Sequence, residues 1–279
     1  MSVDLKEFAS NYPAKVLSLF VAKVKGIPGE RVIFELDNLK LSKHELDHLL
    51  SLLSRYDSHE PISKILNRRA FWDSEFFINE DVLDPRPETE IIIERTLKLF
   101  EKYEDFRFLD IGTGSGCILL SIAKEFRRSH GVGIDISEKA IAVARKNEKN
   151  LHIENVEIKN VDWNYFEPKK KFDLIVSNPP YIKTTDIFNL DDNVKNFDPH
   201  VALDGGKTGL EAYKQLSDLI KGWLNPGGKI LLEIGYDQHD DVKNIFESKG
   251  YFLVKSHLDL QKIRRVLEFS VEFLTPEAL

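Results

Sequence analysis

The pattern of apolar and polar positions divides the chain into a helical first part and an alternating second part. In the first part apolar residues recur at helical spacing, which predicts helices over residues 5–24, 41–56 and 61–66. Residues 71–83 then carry short aromatic-rich runs separated by polar residues, a pattern typical of a β-hairpin. The sequence therefore predicts a small helical domain followed by a hairpin.

From residue 107 onward short apolar runs alternate with helical stretches. This alternation is typical of βαβ units and predicts an α/β fold with a mainly parallel sheet. Residues 184–207 form a long polar connection, and long loops in compact domains are often functional. The predicted strands are residues 108–111, 132–135, 156–159, 172–176, 229–234, 252–255 and 266–271, and the helices between them are residues 116–126, 138–147, 209–222 and 238–249.

Composition and charge narrow the class of protein. The chain has 279 residues, of which 42% are hydrophobic, so it can build one large domain and a small one. A net charge of −7 disfavours nonspecific binding to phosphates, which depends on clustered Lys and Arg. No run approaches the roughly 20 apolar residues of a membrane span. We therefore expect a cytoplasmic protein with a protein or small-molecule substrate, no membrane association and no direct nucleic-acid binding.

A glycine-rich turn follows the first predicted strand of the second part. Gly112, Gly114 and Gly116 lead into a predicted helix, and this succession places backbone N–H groups beside a ligand. Asp135 ends the next predicted strand, where a carboxylate can accept hydrogen bonds from ribose hydroxyls. The arrangement predicts a site for an adenosine cofactor.

The residues around the turn favour S-adenosylmethionine over NAD. The dinucleotide fingerprint requires a small residue where Cys117 stands. Asp110 adds a negative charge that suits a cationic sulfonium and an amino group and does not suit a pyrophosphate. Asp162 and Trp163 follow the third predicted strand, where the indole would stack on an adenine ring.

A second motif, Asn178-Pro179-Pro180-Tyr181, closes the predicted strand at residues 172–176. Each proline fixes its own φ and restricts the residue before it, so the Asn178 side chain and the Pro179 carbonyl are held rigidly. Both oxygens would accept hydrogen bonds from one NH2 group, and Tyr181 would pack on its plane. Together with the glycine turn, the motif predicts a methyltransferase that acts on a planar nitrogen.

Three functions remain open at this point. The planar nitrogen could belong to an amide, or to the exocyclic amine of adenine or guanine in nucleic acid. The acidic charge and the lack of a basic recognition domain weigh against nucleic acid. A noncatalytic adaptor that docks through its N-terminal helices is the alternative of a different class.

The chain resembles the HemK/PrmC family, the release factor glutamine methyltransferases. The Asn-Pro-Pro-Tyr motif alone is shared with adenine and guanine methyltransferases, whereas Arg-Pro-Glu-Thr-Glu ahead of the glycine turn is much more specific to the family. The match covers most of the chain from Pro61 onward. The matching stretches are Arg86-Pro87-Glu88-Thr89-Glu90, Asp110 to Ile118, Asp135, Asp162-Trp163, Asn178-Pro179-Pro180-Tyr181, Asp198-Pro199, and Ala202-Leu203 leading to Gly209-Leu210.

The resemblance implies an architecture and a reaction. A seven-stranded Rossmann-like, S-adenosylmethionine-dependent methyltransferase domain at residues 85–279 would follow a hairpin linker at residues 70–84. A helical domain at residues 1–69 would help to hold the substrate protein. The substrate of the family is the glutamine of the Gly-Gly-Gln motif in peptide chain release factors, methylated on its side-chain nitrogen with S-adenosyl-L-methionine as the donor.

The motifs and the resemblance together assign a set of site residues. Catalytic roles are predicted for Asn178, Pro179 and Tyr181. The predicted cofactor-binding residues are Asp110, Gly112, Thr113, Gly114, Ser115, Gly116, Asp135, Asp162, Trp163 and Asn178. The predicted substrate-binding residues are Asn178, Pro179, Pro180, Tyr181, Arg86 and Glu88.

Two features of the chain depart from a simple match. The Arg-Pro-Glu-Thr-Glu segment also has the composition of an ordinary helix start, with Pro in the first turn and acids near the N-terminus. Near the end, Asp259 and Arg265 bracket Lys262, a position that is usually Gly in the family. This departure puts the local turn in doubt and leaves the reaction unaffected.

A zinc-protease motif, H-E-x-x-H, occurs at residues 44–48. On a helix His44 and His48 would lie opposite the face formed by Leu46, Leu49, Leu50 and Leu53, and they would face water. Because the sequence offers no third ligand, we predict no metal site. Cys117 is expected to be a core residue within the helix after the glycine turn.

Overall fold

The computed structural model describes residues 3–4, 11–29, 31–32 and 39–271. The chain divides into two compact units, Met1–Arg68 and Arg69–Leu279. The predicted helix at residues 5–24 is observed from Ala14 onward, and residues 5–10 of that prediction lie outside the described residues. No helix of these described stretches is long and apolar enough to cross a membrane.

The first unit packs helices around its own apolar core. Ser42 caps the second helix with a complete capping box in which Glu45 is the partner. The predicted apolar face of this second helix is wrong at Leu50, which is 45% exposed. Leu52, which was not assigned to that face, is buried instead. The described elements are β1 (Val3–Asp4), α1 (Ala14–Lys25), β2 (Lys40–Leu41), α2 (Lys43–Asp57) and α3 (Ile62–Leu66).

The second unit begins with a short hairpin, β3 (Arg69–Phe71) and β4 (Ser74–Phe76). The hairpin is shorter than the predicted span, because residues 77–83 continue as a loop. Helix α4 (Glu90–Leu99) follows a 3-10 turn at Pro87–Thr89 and was not separately predicted. The backbone N–H of Trp72 donates to Glu90 Oε1 at 2.9 Å, which ties the hairpin to the start of this helix.

Seven strands form the sheet of the second unit, in the order β10-β11-β9-β8-β5-β6-β7. The five strands from β5 to β9 are parallel to one another, and β11 is antiparallel to β9 and to β10. The seven-stranded, mainly parallel sheet confirms the predicted fold class. The strands are β5 (Arg107–Ile111), β6 (His130–Asp135), β7 (Val156–Asn160), β8 (Phe172–Ser177), β9 (Leu224–Glu233), β10 (Phe252–Leu258) and β11 (Arg264–Ser270).

Helices cover both faces of this sheet. Alternate residues of β5 point to opposite sides, so Phe108 joins one core cluster and Leu109 the other. The long connection at residues 184–207 contains a 3-10 turn and two short helices that the sequence pattern did not reveal. The remaining helices are α5 (Cys117–Glu125), α6 (Glu138–Leu151), α7 (Asp192–Lys195), α8 (His200–Leu203), α9 (Glu211–Leu219) and α10 (His239–Ser248).

The turn between β10 and β11 forms although a lysine occupies its strained position. Lys262 has φ 65°, in the left-handed region that favours glycine. Asp259 Oδ1 accepts hydrogen bonds from the backbone N–H groups of Gln261 and Ile263 at 2.8 and 2.9 Å. The Nε of Arg265 donates to the other oxygen of Asp259 at 3.0 Å. The side-chain contacts of Asp259 thus hold the turn in place of a glycine.

We expect Lys262→Gly to stabilise the protein by up to about 1 kcal/mol, because it relieves the left-handed strain. Chemical denaturation monitored by circular dichroism measures the change. Gln261→Gly is the matched control, since Gln261 lies in the same turn without a positive φ. It should lower the free energy of unfolding. Equal losses in the two variants would show that the turn is not strained at Lys262.

Candidate functional site

The predicted motifs meet where the strand order of the sheet reverses. The chain runs outward from β5 through β6 to β7, and then returns to place β8 on the other side of β5. In open α/β sheets ligands bind in the crevice at the carboxyl ends of the strands at such a reversal. The glycine turn follows β5 and the Asn-Pro-Pro-Tyr motif follows β8, so the topology brings them side by side.

The glycine turn is fastened to the end of β6 by backbone hydrogen bonds. The N–H groups of Gly112 and Thr113 both donate to the carbonyl of Ile134, at 2.9 and 3.0 Å. Asp135 Oδ2 accepts from the N–H of Gly114 at 2.9 Å, and its Oδ1 accepts from the N–H of Ser137 at 2.9 Å. The turn and the carboxylate of Asp135 therefore form one rigid unit.

These hydrogen bonds determine which class of cofactor can bind at the turn. The N–H groups of Gly112, Thr113 and Gly114 are already engaged, and that of Gly116 donates to the Thr113 carbonyl at 2.8 Å. A pyrophosphate would need several of these donors. A cofactor with an adenosine but no phosphate needs none of them, and it can use the carboxylate of Asp135 instead. The residues present fit S-adenosylmethionine.

A cleft opens beside the turn at this edge of the sheet. Trp163 stands in its wall, and its Nε1 donates to Gln215 Oε1 at 2.9 Å, which fixes the plane of the indole. The loop at residues 81–83 and the segment at residues 199–202 line the other side. Of the predicted site residues, the structure brings together around this cleft Gly112, Gly114, Asp135, Trp163, Asn178 and Pro180.

Other predicted cofactor residues do not line the cleft. The Thr113 hydroxyl donates to Asp110 Oδ2 at 2.7 Å, and the Ser115 carbonyl accepts from Asn147 Nδ2 at 2.9 Å. Gly116 has φ 81° and begins α5. Asp162 accepts from the backbone N–H of Asn164 at 2.8 Å and so caps a short 3-10 turn. Their contribution to cofactor binding stays a prediction.

Asp110 is fully buried at the end of β5. Burial raises the pKa of its carboxyl to about 7, although hydrogen bonds from Thr113 and from the N–H of Leu119 favour the charged form. Its Oδ1 finds no hydrogen-bond partner among the described residues. The negative charge that the sequence predicted for this position is therefore only partial near neutral pH.

Asn178 presents a buried oxygen without a partner. Its Oδ1 accepts no hydrogen bond from any part of the chain that the structure describes. Its Nδ2 donates to Thr89 Oγ1 at 3.4 Å. Asn178 lines the cleft and also a second, smaller cavity with Arg86 and Tyr181. A buried acceptor of this kind requires a donor, because leaving it unpaired costs about 1–3 kcal/mol.

The backbone after the motif is held from two sides. The N–H of Ile182 donates to the Leu203 carbonyl at 3.0 Å, and the N–H of Gly205 returns a bond to the Ile182 carbonyl at 2.8 Å. Gln238 Nε2 donates to the Tyr181 carbonyl at 2.9 Å. Gly205 packs so closely that an added Cβ would lie 2.7 Å from the Tyr181 Cα. These contacts fix Tyr181, and burial raises the pKa of its hydroxyl.

The Arg-Pro-Glu-Thr-Glu segment connects the site to its surroundings. Arg86 forms an ion pair at 3.0 Å with Asp198, whose side chain is 1% exposed. The Thr89 hydroxyl accepts a hydrogen bond from Asn178 Nδ2. Glu88 lies close enough to Tyr181 and to the buried Glu233 to influence their pKa values. The segment starts a helix, as its composition indicates, and it also touches the site.

Sequence reasoning missed two buried residues, one at the end of β9 and one five residues after it. Glu233 is 2% exposed and Gln238 is 7% exposed, and both reach the Asn-Pro-Pro-Tyr motif. The sequence does carry a signal for Glu233, because this charged residue interrupts the apolar run from Ile230 to Ile234. A charged residue at the carboxyl end of a parallel strand faces the same edge as the other motifs.

The other candidate chemistry lies away from the site or within the core. His44 and His48 are exposed, and the described residues contain no group of three or more His, Cys, Asp or Glu that could hold a metal ion. Cys117 is buried, and burial raises the pKa of its thiol to about 12. A thiol in that state is a poor nucleophile.

Comparisons with known proteins agree with this geometry. A sequence profile described as a methyltransferase domain matches residues 102–275. A release factor glutamine methyltransferase of Caulobacter vibrioides is 38% identical over 94% of this chain and 91% of its own length. A release factor glutamine methyltransferase of Rhodospirillum rubrum is 37% identical over 94% of this chain and 80% of its own length. A methyltransferase structure from Pyrococcus furiosus is 21% identical with a TM-score of 0.53, covering 80% of this chain and 99% of that one, and supports the fold alone.

The reversed sheet, the glycine turn with Asp135 and the matched domain define an S-adenosylmethionine-dependent methyltransferase. Its similarity to the two bacterial relatives extends over nearly the whole chain. The chain belongs to the family of release factor glutamine methyltransferases, which confirms the resemblance seen in its motifs.

Proposed function

We propose that the protein transfers a methyl group from S-adenosyl-L-methionine to the side-chain amide nitrogen of the glutamine in the Gly-Gly-Gln motif of peptide chain release factors. This proposal rests on the Oδ1 atom of Asn178, which is buried and has no hydrogen-bond partner among the described residues. It is a hydrogen-bond acceptor at a position that borders two cavities. An NH2 group from the second cavity would satisfy it.

The residues divide the work of holding the two reactants. Asp135 and Trp163 would hold the ribose and the adenine of the cofactor, which supplies an electrophilic methyl group when bound. Asn178 Oδ1 and the Pro179 carbonyl would each accept one hydrogen of the substrate NH2. Tyr181 would pack on the amide plane. The helical first unit would help to hold the substrate protein.

Positioning must supply most of the rate. The lone pair of an amide nitrogen is delocalised into its carbonyl, so the nitrogen is a weak nucleophile, and no side chain deprotonates it at neutral pH. Two fixed acceptors orient the NH2 group and stabilise the positive charge that develops on nitrogen during transfer. Well-oriented reactants gain about 7–11 kcal/mol from avoided entropy and solvent reorganisation, so orientation alone can carry such a reaction.

Methyl transfer from labelled S-adenosylmethionine to a purified release factor tests the proposal. We expect one label per factor, and peptide mapping should place it on the glutamine of Gly-Gly-Gln. The matched control is the same factor with that glutamine replaced by glutamate, which should take no label. Label on DNA or RNA alone would identify a nucleic-acid methyltransferase, and no label on either substrate would favour a noncatalytic adaptor. Both of these outcomes contradict the proposal.

A further inference from the structure

The Asn178 amide works only in one of its two orientations. With Oδ1 toward the substrate it accepts from an NH2 group, whereas a flipped amide would present its own NH2 to another donor. The two orientations have nearly the same shape, so packing alone does not distinguish them. The direction must come from the hydrogen bonds at the far side of the amide, where Nδ2 contacts Thr89 Oγ1.

Thr89 by itself cannot set that direction. A hydroxyl both donates and accepts, so Thr89 Oγ1 could pair with either end of the amide. A neighbouring group that only accepts would remove the ambiguity, because it would engage the hydroxyl proton and leave only the lone pairs for Asn178. The structure supplies a carboxylate at this position.

Glu233 is that carboxylate. It ends β9, the strand next to β8, and its side chain lies behind the Asn-Pro-Pro-Tyr motif with 2% of the residue exposed. Leu232 pairs with Ser177, so Glu233 stands beside Asn178. Hydrogen bonding to the side chains of Thr89 and Asn178 lowers the pKa of its carboxyl. Its Oε2 has no partner within the described part of the chain, so it retains a free acceptor. The Tyr213 hydroxyl donates to the Glu233 backbone carbonyl at 2.9 Å and fixes the end of the strand.

We propose that Glu233 is a positioning residue. Its ionised carboxylate holds the Asn178 amide with Oδ1 toward the substrate nitrogen, both by a direct contact and through the hydroxyl of Thr89. The ionised carboxylate accepts the Thr89 hydroxyl proton, and Thr89 then accepts from Asn178 Nδ2. A protonated Glu233 carries a donor of its own, which can pair with Asn178 Oδ1 and remove the acceptor from the substrate. This role rests on the proposed function, because it acts through the contact between Asn178 and the glutamine.

The charge state of Glu233 makes the arrangement sensitive to pH. Burial raises its pKa to about 7, and this effect exceeds the opposing influence of hydrogen bonds from Thr89 and Asn178 and the charge of Arg265. Glu88 acts in the same direction as burial. The ionised, active form is therefore gained as pH rises through about 7. The titratable groups that face Glu233 are Arg265 on β11, Glu88 before α4, Tyr181 after β8, Tyr213 on α9 and Cys117 on α5.

Kinetics of Glu233→Gln on the full-length protein test the proposal. At pH 8.5, where Glu233 is ionised, we expect the substitution to lower kcat about 10- to 100-fold, as for other losses of orientation. The Kd for S-adenosylmethionine, measured by calorimetry, should change less than about 3-fold because the cofactor residues are untouched. Thr89→Val should lower kcat in the same way, and Thr89→Ser should recover most of the loss, since it restores the hydroxyl.

Glu268→Gln provides a matched control. Glu268 is another buried carboxylate of the same sheet, and it pairs with Arg95 and His257 away from the site. Its substitution should lower the melting temperature and leave the pH dependence of kcat as in the wild type. Because the carboxyl of Asp110 behind the cofactor turn also has a pKa of about 7, the pH profiles are measured with S-adenosylmethionine at saturation. There the wild type should lose kcat about tenfold for each pH unit below the pKa of Glu233, whereas Glu233→Gln should show no such acid limb.

A stability measurement assigns the titration to Glu233 independently of turnover. The folded-state pKa is raised, so protonation of Glu233 stabilises the folded protein, and this contribution is lost as pH rises from about 4.5 to about 7. The melting temperature of the wild type relative to Glu233→Gln should therefore fall across this range and stay constant above it.

The outcomes separate this inference from the proposed function. If the wild type leaves the release factor unlabelled, the proposed function fails. If the wild type labels the glutamine but Glu233→Gln retains its kcat and its acid limb, the positioning role of Glu233 is refuted while the function stands. A loss of kcat that Glu268→Gln reproduces, with the acid limb kept in both variants, would also refute it.

Discussion

Asn178→Ala is expected to lower kcat by about 1,000-fold while the Kd for S-adenosylmethionine changes less than about 3-fold. The substitution removes the buried acceptor that orients the substrate NH2 and stabilises its developing charge. Removing one preorganised group of this kind costs about 10²- to 10³-fold in kcat, and here the loss of nucleophile orientation adds to it. The cofactor residues on β5 and β6 are not changed.

Single-turnover methylation of a release factor measures the rate constant of methyl transfer without the contribution of product release, and steady-state kinetics give kcat. Asn225→Ala is the matched control, because Asn225 makes a side-chain hydrogen bond of 2.7 Å to Asp173 at the opposite end of the same pair of strands. It should remove a side-chain hydrogen bond of an asparagine on the same pair of strands and keep turnover near that of the wild type. A kcat for Asn178→Ala within tenfold of the wild type would remove Asn178 from the catalytic site.

Asp135→Ala should weaken S-adenosylmethionine binding about 100-fold. A hydrogen bond to a charged group contributes about 1.5–3 kcal/mol, which corresponds to about 10- to 150-fold in affinity. The same carboxylate fastens the N–H of Gly114, so its loss also loosens the turn beside the ligand. Both effects act in the same direction, and calorimetric titration with the cofactor measures their sum.

Ser137→Ala separates loss of a ligand contact from local damage. The Ser137 hydroxyl caps α6 by accepting from the N–H of Ala140 at 3.2 Å, two residues after Asp135. Its removal should cost about 1 kcal/mol of stability and leave the cofactor affinity within about 3-fold. If the two variants weaken binding equally, Asp135 acts on the fold of this edge and not on the ribose.

Much of the sheet could be predicted because its central strands are covered on both faces. Such strands appear in the sequence as continuous apolar runs between turns, and β8 was placed within one residue at residues 172–176. Strand β9 begins at Leu224, earlier than predicted, because Pro226, Gly227 and Gly228 interrupt its pattern. The turns and short helices within residues 184–207 have no apolar period that would reveal them.

The residues of the site could be predicted only where a short sequence motif identifies them. The glycine turn and the Asn-Pro-Pro-Tyr motif each follow a strand directly, so strand placement also placed them. Glu233 reaches Asn178 because β9 pairs with β8 in the register Leu232 opposite Ser177. The paired residues are more than fifty positions apart, so no local sequence pattern predicts this pairing. Long-range strand pairing therefore determines what stands behind Asn178.

The pairing of Ile182 with Asp204 has a consequence for how the family can diversify. These two residues bring both ends of the intervening segment to one place, so the segment is a closed loop whose base is fixed independently of its length. Doubling the length of a flexible loop costs only about 0.6 kcal/mol. The outer part of this loop, where Phe188 is 79% exposed, can lengthen, shorten or change sequence without displacing the residues that perform the reaction.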